Sequence, residues 1–415
     1  MAPARYLGTG RAELALTTAT PERMLVETDR PQRSCSARFA SCLLVVAVLA
    51  CALLGGVLVT LLLGSPSFVN RVAPPLTASA GQPIVASVAP TLAATYDQKT
   101  VAPADGQIRP HIVLTPGKSV TAPTTRFSFD GVRYEIKPHV DSAVYHGAKA
   151  STRLLAQPEG ESDEAWSQTY YRSFAEDPAQ QATVDDLASQ LQRIRDRAGL
   201  DSDQYLELIA KYVQSIPYDN VSYESGKGHQ RFPVETLVDG TGMCGDKSVL
   251  LGVLLAHEGY AVALLDFKPE KHMAVGVRGP GAAFGDTGWL FLETTGPCYV
   301  TDVPDTYLGG VKLTSEPTII TIGTGTKQYG AAADVARIVR ARDGAESAAS
   351  ALYARARGEQ LTRSQASVVN RKLDTAYRAT VSLRSNAVDS KGRPIGTFLD
   401  RMKAKEWVDR NAWWL

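Results

Sequence analysis

The chain has 415 residues, 44 basic and 43 acidic, for a net charge of +1. Such a length exceeds one typical domain of about 100–150 residues, so one catalytic-sized domain with appended parts is expected. No long basic run invites a polyanion, so no nucleic-acid partner is expected, and five cysteines without a Cys-x-x-Cys pair exclude a disulfide framework.

The first organised element is residues 40–63, "ASCLLVVAVLACALLGGVLVTLLL", which holds no charged residue. It is long enough to cross a hydrocarbon core of about 30 Å as a helix. Six arginines (Arg5, Arg11, Arg23, Arg30, Arg33, Arg38) precede it and only Arg71 follows closely. The positive-inside rule then keeps residues 1–39 cytoplasmic and puts everything after residue 64 outside the cytoplasm, in a single-pass protein of the cell membrane. The apolar run is longer than the core of a cleaved signal peptide and continues past Cys51, where a lipoprotein would turn polar, so an uncleaved anchor is the reading. Cys35 is a bystander thiol or a juxtamembrane acylation site.

Residues 64–125 are rich in Pro, Ala, Thr, Ser and Val and poor in aromatics, the composition of a flexible stalk. Order is expected from residue 126, where Phe127, Phe129, Val132, Tyr134 and Ile136 flank the turn pair Asp130-Gly131 of a hairpin. Three helical patterns follow. Trp166, Tyr170 and Phe174 share one face; Leu187, Leu191 and Ile194 share a second after a start at Thr183; Leu206, Ile209 and Val213 share a third that Pro217 stops.

In "GTGMCGDKSVLLGVLLAHEGY", residues 240–260, Cys244 stands between glycines at the head of an apolar helix in which Leu250, Leu251, Leu254 and Leu255 can bury and which ends at Gly259. Unpaired amides and the positive end of the helix dipole favour a thiolate at such a place, and the Cys244 amide can face an oxyanion. Asp246 reads as a first-turn charge that suits the dipole. The same stretch approaches a phosphate-binding GxxxxGK[ST] loop, but Asp246 intrudes between Gly245 and Lys247, so no nucleotide is expected.

A nucleophile needs a base and a group to orient it. "HMAVGV", residues 272–277, alternates as a strand with His272 at its start, and "GWLFLETT", residues 288–295, is a second strand with Glu293 near its end. Cys attacking, His moving the proton and a carboxylate holding the imidazole is the arrangement of cysteine hydrolases and acyltransferases. Cys244, Cys298 and His272 lack the short paired spacing of structural zinc ligands; no metal and no cofactor are expected, and Cys298 reads as a structural thiol, His257 as helix surface.

"YVQSIPYDN", "FPVETLVDGTGMCGDKSVLLGVLLAHEGYAVALLDF", "KHMAVGV" and "GWLFLETTGP", within about residues 205–304, resemble the bacterial and archaeal branch of the transglutaminase-like superfamily. The resemblance implies an α+β, papain-like core over residues 126–330, a nucleophile helix packed on an antiparallel sheet. It implies Cys244 as nucleophile, His272 as base and Glu293 in the place of the third residue, which is more often Asp in the family. Tyr218 either lines the cleft as an oxyanion donor, by analogy with the family, or simply packs. Members of the family cross-link amides, cleave them, or have lost activity, and the calcium some animal relatives use finds no acidic loop here.

Residues 331–415 turn Ala- and Arg-rich and read as two or three helices. Their end mixes Arg401, Lys403, Lys405 and Arg410 with Trp407, Trp413 and Trp414, suited to a membrane interface or to docking on the core. Two functions are expected from the whole. One is acyl transfer from an amide through a Cys244 thioester, to water or to an amine, on a cell-envelope or extracellular protein or peptide. The other is an inactive relative that binds peptide or scaffolds an envelope complex.

Overall fold

The computed structural model of the chain describes residues 108–411, apart from residue 227, residues 308–309 and residues 384–399. The expectations for residues 1–39, 40–63 and 64–107 lie outside the described residues, as do Trp413 and Trp414. Among the described residues, no helix is long and apolar enough to cross a membrane.

Two strands, β1 (Thr125–Phe129) and β2 (Val132–Ile136), form the expected hairpin, with Phe129 opposite Val132. Asp130 and Gly131 both take positive φ, 49° and 79°, as a two-residue turn matching the strand twist requires. Order begins earlier than Arg126, however. Within the segment read as stalk, residues 108–124 are fastened to the fold: the Ile112 amide donates to Asp177 at 2.7 Å, the Val120 amide to Ser142 Oγ at 3.0 Å, and Ile112 and Ala122 are buried. Low apolar content argued against order here, yet a few buried side chains and fixed acceptors for the backbone donors suffice.

Helices α1 (Ser142–Ala150), α2 (Asp163–Ala175), α3 (Gln181–Ala198) and α4 (Ser202–Gln214) follow. The aromatic face of α2 is as expected, with Trp166 stacked on Tyr170 at 4.8 Å and Tyr170 edge-on to Phe174 at 5.1 Å. The α3 helix starts two residues before Thr183, because Asp177 caps a 3₁₀ turn, Pro178–Gln180, that feeds it. Asp201 and Gln204 form a capping box at the start of α4. Two short helices, α5 (Asn220–Ser225) and α6 (Pro233–Asp239), lead to α7 (Cys244–His257).

Every residue from Asp246 to Leu255 in α7 is buried, the mark of a helix enclosed on all sides. One side meets β3 (Ala261–Phe267), β4 (His272–Val277) and β6 (Thr318–Thr324); the other meets α2, α3, α4 and α6. The sheet is antiparallel in the order β5-β4-β3-β6. Its far face carries a second apolar cluster of Leu265, Phe267, Ala274, Trp289 and Phe291. This mixed α and β architecture agrees with the α+β expectation at the level of class.

Strand β5 spans only Leu290–Leu292, shorter than the expected 288–295. Past Leu292 the Thr294 and Thr295 amides donate to the Glu293 carboxylate at 2.9 and 2.8 Å instead of a strand ladder. The C-terminal region supplies α8 (Ala332–Gly358), α9 (Arg363–Leu383) and α10 (Arg401–Asn411). Buried Arg401 pairs with Glu207 of α4 and Asp334 of α8, Ala404 and Val408 are buried, and Trp407 packs on the core, so the described part of the Arg/Trp segment docks rather than facing out.

Candidate active site

Cys244 is the first residue of α7, where sequence placed it. The chain reaches it through a short parallel bridge between Tyr218 and Gly242, closed by the Gly242 amide on Pro217 O at 3.1 Å and the Asp219 amide on Gly242 O at 3.2 Å. Gly242 has little room for a side chain, since a Cβ there would lie 3.1 Å from Asp246 Cβ and from Thr236 Cγ2. Arg231 braces both sides, pairing with Asp219 and donating to Thr241 O at 3.0 Å. Asp246 caps α7 by accepting from the Met243 amide at 2.9 Å, and it also accepts from the Arg231 amide at 2.9 Å. It therefore acts as the first-turn charge read from sequence, and both of its oxygens are occupied.

His272 opens β4, in register with Phe267, and its Nε2 lies 3.0 Å from Glu293 Oε2. The other oxygen of Glu293 accepts from the Thr294 and Thr295 amides and from Thr295 Oγ1 at 2.7 Å, leaving a carboxylate 2% exposed with every contact to a donor. This is how the longer Glu is accommodated: the chain turns at Thr294 and wraps the carboxylate, fixing its extra methylene. Burial disfavours the charged form of both partners, but the pairing outweighs it. Glu293 is held well below the usual carboxylate range by His272 and Thr295, and the His272 imidazole is raised first by Glu293 and then by the neighbouring Cys244. With Nε2 committed to Glu293, Nδ1 is the nitrogen left for the sulfur. The thiol also makes a long contact, 3.8 Å, to Lys271 O.

Tyr218 bridges to Gly242, two residues before Cys244; burial and then the neighbouring Cys244 raise its pKa. His257, read as helix surface, pairs with Asp185 at 3.0 Å, and the Cys298 thiol donates to Asp302 O at 3.1 Å. Among the described residues, no three or more His, Cys, Asp or Glu side chains gather as a metal-ligand set.

Sequence reasoning missed three neighbours. The Tyr307 ring lies 4.2 Å from the imidazole, centroid to centroid. Lys247, one helical turn past Cys244, is fully buried and donates to Ile216 O at 2.7 Å, Gln214 O at 3.2 Å and Thr295 O at 3.4 Å. Gln214 joins the same knot by donating to Glu293 O at 2.9 Å. Only Lys247 carried a signal, its i+3 spacing on a helix otherwise apolar. Tyr307 comes from a loop with no pattern of its own.

No family model matches the chain. No curated protein matches it either. Among solved structures, the chain is similar to one described as "Crystal structure of a TGase", at 14% identity over 47% of this chain and 47% of that one, with a TM-score of 0.23. The chain thus spans about half the length of that neighbour, and a likeness this slight carries no argument about fold or function.

Proposed function

We propose that the chain is a membrane-anchored cysteine enzyme with a papain-like, transglutaminase-like core, which transfers the acyl group of an amide through a thioester on Cys244. The observation that carries this reading is the arrangement of three groups: a thiol on the first residue of a buried helix, and beside it an imidazole that Cys244 acts on electrostatically and that meets a buried carboxylate at 3.0 Å. The thiolate attacks the amide carbon, and the developing oxyanion rests on the Cys244 amide and the Tyr218 hydroxyl. The imidazolium proton goes to the leaving amine, which departs with the electron pair of the broken C–N bond. Water or a second amine then attacks the thioester, gives a proton to the imidazole and restores the thiolate. Glu293 keeps the imidazole in the tautomer that presents Nδ1 to sulfur.

The anchor belongs to the same reading. Residues 40–63 cross the bilayer with residues 1–39 in the cytoplasm, residues 64–107 form the spacer, and the folded part faces an extracytoplasmic protein or peptide. Protease added to intact cells is expected to digest the folded part, and full protection would refute this topology.

The enzymatic reading is tested by alkylation of full-length protein in detergent. Iodoacetamide modification of Cys244, separated from Cys298 by peptide mass, is expected to persist well below the ordinary thiol pKa of about 8.5 and to fall in His272→Ala. Ordinary thiol behaviour in both proteins would leave a binding module on an inactive catalytic fold.

A further inference from the structure

Alternation along β4 sends Met273, Val275 and Val277 into the core around α7 and Ala274 into the cluster on the far face of the sheet. His272, at the head of the strand and in register with Phe267 of that cluster, borders the far face. Tyr307 packs on the same cluster and sets its ring 4.2 Å from the imidazole, tilted by 45°. His272 and Glu293 are buried whereas Tyr307 is partly exposed, so the tyrosine stands between the pair and solvent. Its hydroxyl makes no hydrogen bond among the described residues, which leaves the ring as the part that meets His272.

Tyr307 does not belong to a strand or helix, yet the chain around it is fastened. The Tyr307 amide donates to Val311 O at 2.7 Å and its carbonyl accepts from the Gly310 amide at 2.9 Å. A few residues on, Glu270 accepts from the Thr314 and Ser315 amides at 3.0 Å each, from Thr314 Oγ1 at 3.1 Å and from Ser315 Oγ at 2.5 Å. The Ser315 hydroxyl and the other donors hold the Glu270 carboxyl down at about 2, so it stays charged at neutral pH. Glu270 stands two residues before His272, and between them Lys271 takes a positive φ of 52° and turns its carbonyl to Cys244 Sγ at 3.8 Å. One carboxylate therefore ties the chain that follows Tyr307 to the turn that delivers His272.

We propose that Tyr307 is a positioning residue for His272: its ring seals the imidazole–carboxylate pair from water, and Glu270 latches the chain that carries the ring to the turn that carries the imidazole. A hydrogen bond between charged groups is stronger where water is kept out, and the negative face of an aromatic ring favours a cation beside it. The effect on the Cys244 sulfur rests on the cysteine-enzyme reading above; the seal does not.

The test follows deuterium exchange at the imidazole C2 position of each histidine, read by peptide mass in full-length protein at pH 8. His146 and His257, which lie on other elements and meet Lys118 O and Asp185, serve as references within the same molecule. His272 is expected to exchange more slowly than either in the wild type. Tyr307→Ala should speed His272 severalfold and leave the references unchanged, Tyr307→Phe should match the wild type, and Glu270→Ala should fall between. Alkylation of Cys244 by iodoacetamide at pH 6 should slow about two- to thirtyfold in Tyr307→Ala, the range that an aromatic–cation contact spans, and hold in Tyr307→Phe.

An unchanged His272 rate in Tyr307→Ala overturns the seal, and an unchanged rate in Glu270→Ala overturns the latch. Equal acceleration of all three histidines assigns Tyr307 to general stability and overturns its positioning role. A Tyr307→Phe protein that behaves like Tyr307→Ala moves the effect to the hydroxyl and overturns the part given to the ring. Ordinary thiol behaviour of Cys244 in a wild type whose His272 is protected overturns the cysteine-enzyme reading, and with it any role of the seal in the chemistry.

Discussion

Replacing Glu293 by Gln isolates the charge on which the proposed chemistry depends. The amide oxygen can keep the three donors now on Oε1, from the Thr294 amide, the Thr295 amide and Thr295 Oγ1, so the turn should hold. The amide nitrogen then faces His272 Nε2, 3.0 Å away in the wild type, and can only donate. The imidazole must accept at Nε2 and carry its proton on Nδ1, the wrong tautomer for taking a proton from sulfur. The lost charge-assisted hydrogen bond is worth about 1.5–3 kcal/mol, or roughly one to two pKa units on His272. The sign is downward, since Glu293 is what holds the imidazole above its ordinary value against burial. Under the proposed mechanism the imidazole is what activates the sulfur, so alkylation of Cys244 at pH 6 is expected to fall at least tenfold. Mass spectrometry of the Cys244 peptide across pH 5–9 provides the assay, with unfolding monitored by circular dichroism. If the Glu293→Gln profile superimposed on the wild type in folded protein, Glu293 would have no part in setting the state of the pair.

Lys247→Met keeps much of the volume but strips donors from Gln214 O, Ile216 O and Thr295 O, and urea unfolding is expected to show a loss of about 2–5 kcal/mol. An unchanged midpoint would mean that those carbonyls find other donors. Leu254→Ala opens a cavity in the fully buried centre of α7, with an expected cost of about 2–5 kcal/mol in the same experiment. Arg401→Ala leaves Glu207, its partner on α4, buried without its cation, at a cost of about 3–5 kcal/mol. Limited proteolysis should then cut near residue 400 first, and a digestion pattern like the wild type would show that α10 stays docked without the pair.

The elements legible in the sequence are those whose signal is local. Asp130-Gly131 can adopt only a few turns, and both residues take the positive φ that the hairpin needs. The run from Val249 to Leu255 is apolar on every face, and a helix buried on every side is the only economical place for it. What could not be read is set by partners distant in sequence. The 108–124 segment is ordered by Asp177 and Ser142, and β5 ends early because Glu293 draws the next two amides to itself. No window of sequence holds both members of either interaction.

The site divides along the same line, and the division bears on what the cleft can do. Cys244, His272 and Glu293 were readable because each sits at the head or tail of a regular element, where a periodic pattern ends on a reactive group. Gln214 and Tyr307 were not, since each looks like packing within its own element: an amide near the end of an apolar helix, a tyrosine in a loop. Only the fold brings the Gln214 amide to Glu293 O and the Tyr307 ring to the imidazole. The three residues proposed for the chemistry thus lie at positions that local patterning constrains, while their neighbours come from elements brought together by the fold. Those neighbours are set by contacts distant in sequence, so a motif leaves them unmarked.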